Sequence, residues 1–211
     1  MLLYLFYYIE YYLNMTIWLA SGNMHKKREM EALFKGEEIR IPLDAGIPFD
    51  PDERGETFMD NALIKARELY GLVKEPVIAD DSGLCVDVLG GRPGVHSARY
   101  GGEDGRKLLD SQRNELLLSE VGDAHSRKAR FVCALALVLS PDRFFAVQET
   151  LEGELARHAR GTGGFGYDPI LYLPERGKTV AELTEEEKNA CSHRAKAARH
   201  MAKLLAGLFS L

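Results

Sequence analysis

The sequence is poor in cysteine, has a single tryptophan, and shows no excess of positive charge. Its three cysteines, Cys85, Cys133 and Cys191, have no paired spacing. That excludes a disulfide scaffold and gives no zinc pattern. They read as small buried thiols suited to a reducing, cytoplasmic environment. No apolar run reaches the about 20 residues needed to cross a bilayer. The strongest candidate, Met1 to Leu13, is shorter, is broken by Glu10, and holds five of the nine tyrosines. It also lacks the basic start of a secretory leader. Residues 1–14 therefore read as an extension with Met15 as the natural start, and residues 15–211 as a single domain. Lysine and arginine number 27 against 32 acidic residues, a net charge of −5. Nucleic acid and anionic membrane are poor partners for such a chain. There is no Walker A pattern, internal repeat or low-complexity linker.

What remains is an ordinary globular composition, 45% hydrophobic and 28% charged. Thr16 to Ala20 reads as a short strand, followed by a helix capped by Asn23. Ile39 to Leu43 is a second strand. Thr57 to Tyr70 has helical spacing, with Phe58, Ala62, Lys65, Ala66 and Leu69 on neighbouring faces. Asp104 to Val121 predicts another helix. Ala129 to Leu139 and Phe144 to Leu155 predict two long strands joined by a turn at Pro141-Asp142. A short strand is expected near Ile170 to Leu173. Thr184 and Glu187 match a capping box, and Ser192 to Leu208 an amphipathic helix. Helices, short strands and a long hairpin together predict an α/β fold with a mixed sheet.

The densest chemistry lies in Val77-Ile78-Ala79-Asp80-Asp81-Ser82-Gly83. An apolar run drops into two carboxylates, a hydroxyl and a glycine, which predicts a buried strand ending in a turn. Neighbouring side chains on a strand point to opposite faces, so one carboxylate enters a site and the other holds the turn. An aimed carboxylate can bind a hard cation or accept a proton from water. Lys26, three residues after Asn23, sits at a helix start, where backbone N–H groups favour anions. Gly161 to Gly166 formally matches G-x-G-x-x-G, but Pro169 opposes a helix there and no βαβ unit surrounds it, so no dinucleotide site is expected. The glycines instead let the backbone approach a ligand, with Phe165 as a stacking face. Asp81-Ser82-Gly83 also has the form of an aspartic-protease motif. With one copy per chain, that chemistry would need a symmetric dimer. An acidic metal site, several cations and an aromatic face together suit a polyphosphate carrying a base.

In this combination the chain resembles the inosine triphosphate pyrophosphatase family, which removes non-standard purine nucleotides. The segments that carry the resemblance are Ser21-Gly22-Asn23 with Lys26, Thr57-Phe58, Asn61-Ala62 and Lys65-Ala66. They continue through Ala79 to Leu84, Gly91, Pro93 to Val95, Ser97 to Tyr100, Gly163 to Pro169, Glu187 to Asn189 and Ser192 to Arg194. The resemblance implies an elongated mixed β-sheet with flanking helices, two lobes and a central cleft holding the site. It implies hydrolysis of ITP, dITP and XTP to the monophosphate and pyrophosphate, with Mg²⁺ as cofactor and a homodimer as the assembly. Asp81 matches the proton acceptor and a metal ligand, and Glu53 the second metal ligand. Ser21, Gly22, Asn23, Lys26, Lys65, Ser82 and Lys188 match substrate contacts. Phe165, Gly166, Tyr167 and Asp168, with His193 and Arg194, match the base pocket. Donors from His193 or Arg194 would suit a 6-oxo purine, whereas adenine would leave buried groups unpaired. Asp60 stands where a glutamate commonly precedes the Asn-Ala pair, and Met1 to Leu13 has no counterpart. A nucleotide sensor that had lost hydrolysis would dispense with the carboxylates, which are present here.

Overall fold

The computed structural model describes residues 16–34, 37–102 and 107–207. The tyrosine-rich run Met1–Leu13 lies outside them. The chain opens with β1 (Thr16–Leu19), α1 (Met24–Leu33) and β2 (Glu38–Arg40), followed by α2 (Phe58–Val73) and β3 (Val77–Val86). Then come α3 (Asp110–Val121), the hairpin β4 (Lys128–Ser140) and β5 (Arg143–Leu155), and the short strands β6 (Leu171–Leu173) and β7 (Lys178–Thr179). Two helices finish it, α4 (Glu185–Cys191) and α5 (His193–Gly207).

Among the described residues the strands form one seven-stranded mixed sheet in the order β2-β1-β3-β4-β5-β6-β7. β1 runs parallel to both β2 and β3, with Ile17 opposite Ile39 and Trp18 opposite Val77. β6 runs antiparallel to β5 and β7. The α/β class with a mixed sheet is thus as the sequence predicts. Among the described residues no helix is long and apolar enough to cross a membrane.

The chain divides into two compact units. Among the described residues, the first contains 16–81, 134–148 and 197–207, and the second 82–133 and 149–196. The dividing points fall inside β3, β4, β5 and α5, and one of them separates Asp81 from Ser82. In the first unit Ile17, Leu19, Met30, Ile41, Leu69, Ile78, Leu135 and Leu137 are fully buried. The second has its own core around Leu84, Val86, Leu117, Phe131, Leu151, Tyr167, Ile170 and Leu171.

Three elements depart from the sequence prediction. The strand expected to end at Asp81 continues to Val86, so no turn follows the carboxylates. Both are buried, and the continuation is possible because Gly83 has no side chain. A Cβ there would lie 2.6 Å from the Gly94 carbonyl oxygen, closer than real contacts allow. The strand expected over Ile39 to Leu43 stops at Arg40, since Pro42 has no N–H for a ladder and starts a 3₁₀ turn. α3 begins at Asp110, later than expected, with the Gln112 side chain accepting from the Leu109 N–H at its start.

Candidate active site

The first unit builds a buried cluster of carboxylates and lysines. Helix α2 buries Phe58, Asn61, Ala62, Lys65, Ala66 and Leu69, a continuous stripe at helical spacing. Asn61 and Lys65 lie in that stripe four residues apart, so both polar groups face inward. A buried amide and ammonium require partners. The Lys65 Nζ donates to Glu53 Oε1 at 2.8 Å, Asp81 Oδ1 at 2.7 Å and the Asp80 carbonyl at 3.0 Å. The Asn61 amide approaches Asp81 Oδ2 at 3.5 Å and accepts the Gly55 N–H at 2.7 Å. A side chain on Gly55 would meet that amide oxygen at 2.7 Å, so glycine is required where the Glu53 loop joins the helix.

Asp80 faces a different cation. Its carboxylate pairs with the Lys26 ammonium, which also reaches the Asp80 carbonyl at 3.2 Å. Asp80 therefore holds Lys26 rather than a turn, correcting the role expected for it. Burial pushes the Asp81 carboxyl above its ordinary value, and Lys65 and Lys26 oppose that shift without cancelling it. Burial alone would lower the Lys65 ammonium, but the Asp81 and Glu53 carboxylates outweigh it and raise it. Removing one partner of so buried a pair costs about 3–5 kcal/mol.

Ser21, Gly22 and Asn23 form the turn into α1. The Ser21 hydroxyl accepts the Asn23 N–H, and the Asn23 side chain accepts those of His25 and Lys26. Asn23 is thus the expected helix cap, and it already occupies two of the first N–H groups of α1. Asp60 serves α2 in the same way. Its carboxylate accepts the Thr57 N–H and hydroxyl, while Thr57 accepts the Asp60 N–H, closing a capping box. A carboxylate at the third helical position reaches back to the cap without the extra methylene of glutamate.

The second unit gathers an aromatic ring and several cations. Phe165 has the Lys188 ammonium 4.9 Å and the Arg194 guanidinium 5.8 Å from its ring centre. Asp168 ties these parts together: its Oδ2 accepts the Phe165 N–H at 2.9 Å and the Lys188 ammonium at 2.8 Å. Arg194 is almost wholly buried and donates to the Ser82 hydroxyl at 2.9 Å. His193 stacks on Phe131 with ring centres 4.8 Å apart. Gly166 is fastened on both sides, its N–H to Asp110 Oδ2 at 2.5 Å and its carbonyl to the Asn114 amide at 3.0 Å.

Tyr167 differs from its neighbours in the motif. Its ring belongs to the hydrophobic core and its hydroxyl donates to the Ser97 carbonyl at 2.9 Å. Burial raises its pKa above the ordinary tyrosine value. It anchors the loop through that hydroxyl and the packing of its ring. A cavity of about 460 Å³ lies beside the same loop, lined by Asn114, His158, Thr162 and Phe165 among others.

A sequence model of the Ham1 family matches residues 17–204. The chain belongs to that family. It is 50% identical over 193 residues to a dITP/XTP pyrophosphatase of Treponema denticola, covering 92% of this chain and all of that protein. A dITP/XTP pyrophosphatase of Geobacillus kaustophilus is 51% identical over 183 residues, 85% of this chain and 88% of the relative. Among solved structures, a HAM1 protein from Coxiella burnetii superposes with a TM-score of 0.83 at 38% identity, covering 92% of this chain and 99% of that one. The Staphylococcus aureus Ham1 protein gives 0.81 at 36% identity, covering 91% and 98%. The family match ends short of the tyrosine-rich N-terminal run.

Sequence reasoning assigned no role to Asn61, Asp110 or Asn114. Asn61 carried a signal, an asparagine at a core position of a helix, where it is unfavourable unless bonded. Asp110 and Asn114 act on the backbone of a loop far along the chain, and spacing cannot reveal that.

For a metal, the fitting donors are Glu53 and Asp81, both hard oxygen ligands. Among the described residues no group of three or more His, Cys, Asp or Glu side chains is placed to hold one. Two carboxylates suit Mg²⁺, which keeps several waters and binds through one or two carboxylates plus substrate phosphates.

Proposed function

We propose that this protein is a nucleoside-triphosphate pyrophosphohydrolase that converts ITP, dITP and XTP to the nucleoside monophosphate and pyrophosphate. Membership of the Ham1 family and relatives named dITP/XTP pyrophosphatase support the hydrolase activity. The observation that carries the reading is the Glu53–Lys65–Asp81 cluster, with a buried carboxylate beside a fixed ammonium.

Water attacks the α-phosphorus, the bond to the bridging oxygen of the β-phosphate breaks, and pyrophosphate leaves. Asp81 takes the proton from the attacking water, a role suited to a carboxylate whose burial makes it more basic than usual. Lys26 and Lys65 offset charge that develops on the phosphate oxygens. Glu53 and Asp81 would hold Mg²⁺, which supplies Lewis-acid stabilisation of that charge. Phe165 stacks on the purine, and Lys188 lies against the same ring. Donors from His193 and Arg194 suit the 6-oxo group of hypoxanthine and xanthine. An adenine amino group would leave such donors unpaired, at about 1–3 kcal/mol each.

Residues 15–211 form the catalytic domain, preceded by the extension of residues 1–14. The enzyme works in the cytoplasm as a homodimer, which sedimentation of the purified protein checks. Pyrophosphate release from ITP, with and without Mg²⁺, tests the reading. Rapid, Mg²⁺-dependent release is expected; a preference for ATP over ITP, or release of orthophosphate, would contradict it.

A further inference from the structure

The carboxylates assigned to the metal do not act with their full charge. Lys65 Nζ lies 2.8 Å from Glu53 and 2.7 Å from Asp81, with a third bond to the Asp80 carbonyl at 3.0 Å. All three ammonium protons therefore have acceptors, and the side chain is only 7% exposed. Its charge is fixed between the two carboxylates and little screened by solvent. The Asp80 carboxylate pairs with Lys26, whose charge also acts on Asp81. Among these groups three carboxylates, Glu53, Asp80 and Asp81, stand against two ammoniums, Lys26 and Lys65, which leaves one net negative charge where a divalent cation would bind.

We propose that Lys65 sets the charge of this cluster so that it holds a free divalent cation weakly and takes the cation as a metal–nucleotide complex. The inference rests on the assignment of Glu53 and Asp81 as the metal ligands. A bare divalent cation meets an ammonium fixed against both of its ligands. A cation already bound to a triphosphate brings negative oxygens, which the charge of the same ammonium attracts. Lys65 thus repels one form of the metal and attracts the other. Among the described residues there is no larger acidic or histidine cluster to hold the free ion instead.

The test is Mn²⁺ binding to the full chain, followed by the electron paramagnetic resonance of the free ion. In the wild type, a non-hydrolysable α,β-methylene analogue of ITP should tighten Mn²⁺ binding by about tenfold or more. Without nucleotide, Lys65→Met and Lys65→Gln should bind Mn²⁺ about tenfold or more tightly than the wild type. Adding Glu53→Gln to either variant should abolish that gain. Glutamine keeps a donor toward the carboxylates if the methionine variant does not fold. The proposal is overturned if the wild type binds Mn²⁺ equally well with and without the analogue. It is also overturned if a folded neutral variant shows no gain, or if the gain survives Glu53→Gln. Failure of the wild type to release pyrophosphate from ITP would instead sink the functional reading, whatever the Mn²⁺ result.

Discussion

The two clusters hold their charged groups by different means. In the first unit, Lys65 and Asp81 stand on a helix and a strand, and each ammonium is matched to carboxylates within the cluster. In the second, Phe165 stands on a glycine-rich loop held by hydrogen bonds to its backbone: Asp168 to the Phe165 N–H, Asp110 and Asn114 to Gly166. The first arrangement suits catalysis, where a small displacement of a carboxylate costs much rate. The second suits recognition, where a stacking ring tolerates small shifts. Rate should therefore be sensitive to the first cluster, and substrate affinity to the second.

That contrast can be broken at several points. Gly83→Ala places a methyl against the Gly94 carbonyl and Ser97, and backbone cannot easily give way. Thermal or urea unfolding should show a loss of about 3 kcal/mol or more. Phe165→Ala removes the stacking face; KM for ITP should rise by roughly 10- to 100-fold, for about 1–3 kcal/mol of stacking, with kcat changed much less. Equal losses in kcat and kcat/KM would show that the ring serves the chemical step instead. Asp110→Asn weakens the hold on Gly166 by about 1 kcal/mol, so KM should rise several-fold at unchanged kcat. Thr57→Ala removes the cap of α2 and should cost about 1 kcal/mol of stability while leaving KM alone. The smallest effect concerns thiols. Cys85 and Cys133 are buried and burial raises the Cys85 pKa, so alkylation of the native protein should be confined to Cys191.

Helices, the hairpin and its Pro141-Asp142 turn were legible because each has a local cause: periodicity, a cap or a turn residue. Asn23 and Thr184 cap the helices they were expected to cap. The end of β3 was misread because Asp-Asp-Ser-Gly looks like a turn. Tertiary partners, Lys26 and Lys65 among them, make those carboxylates tolerable inside a strand. β7 is two residues long and has no pattern to detect. The loop containing Glu53 gave only its spacing, whereas the structure brings Glu53 and Asp81 to one ammonium. Tyr167 shared a motif with Phe165 yet turned into the core, because a motif fixes neighbours in sequence and not the direction of each side chain.

In the proposed mechanism Asp81 takes the proton from water. Asp81→Asn keeps the shape of the side chain and removes its basicity, so the comparison of wild type and variant in Mg²⁺ with ITP is the most direct test. The variant should stay folded and bind nucleotide, while pyrophosphate release falls by about 10²- to 10⁴-fold. Near-normal kcat in a folded Asp81→Asn protein would contradict the assignment.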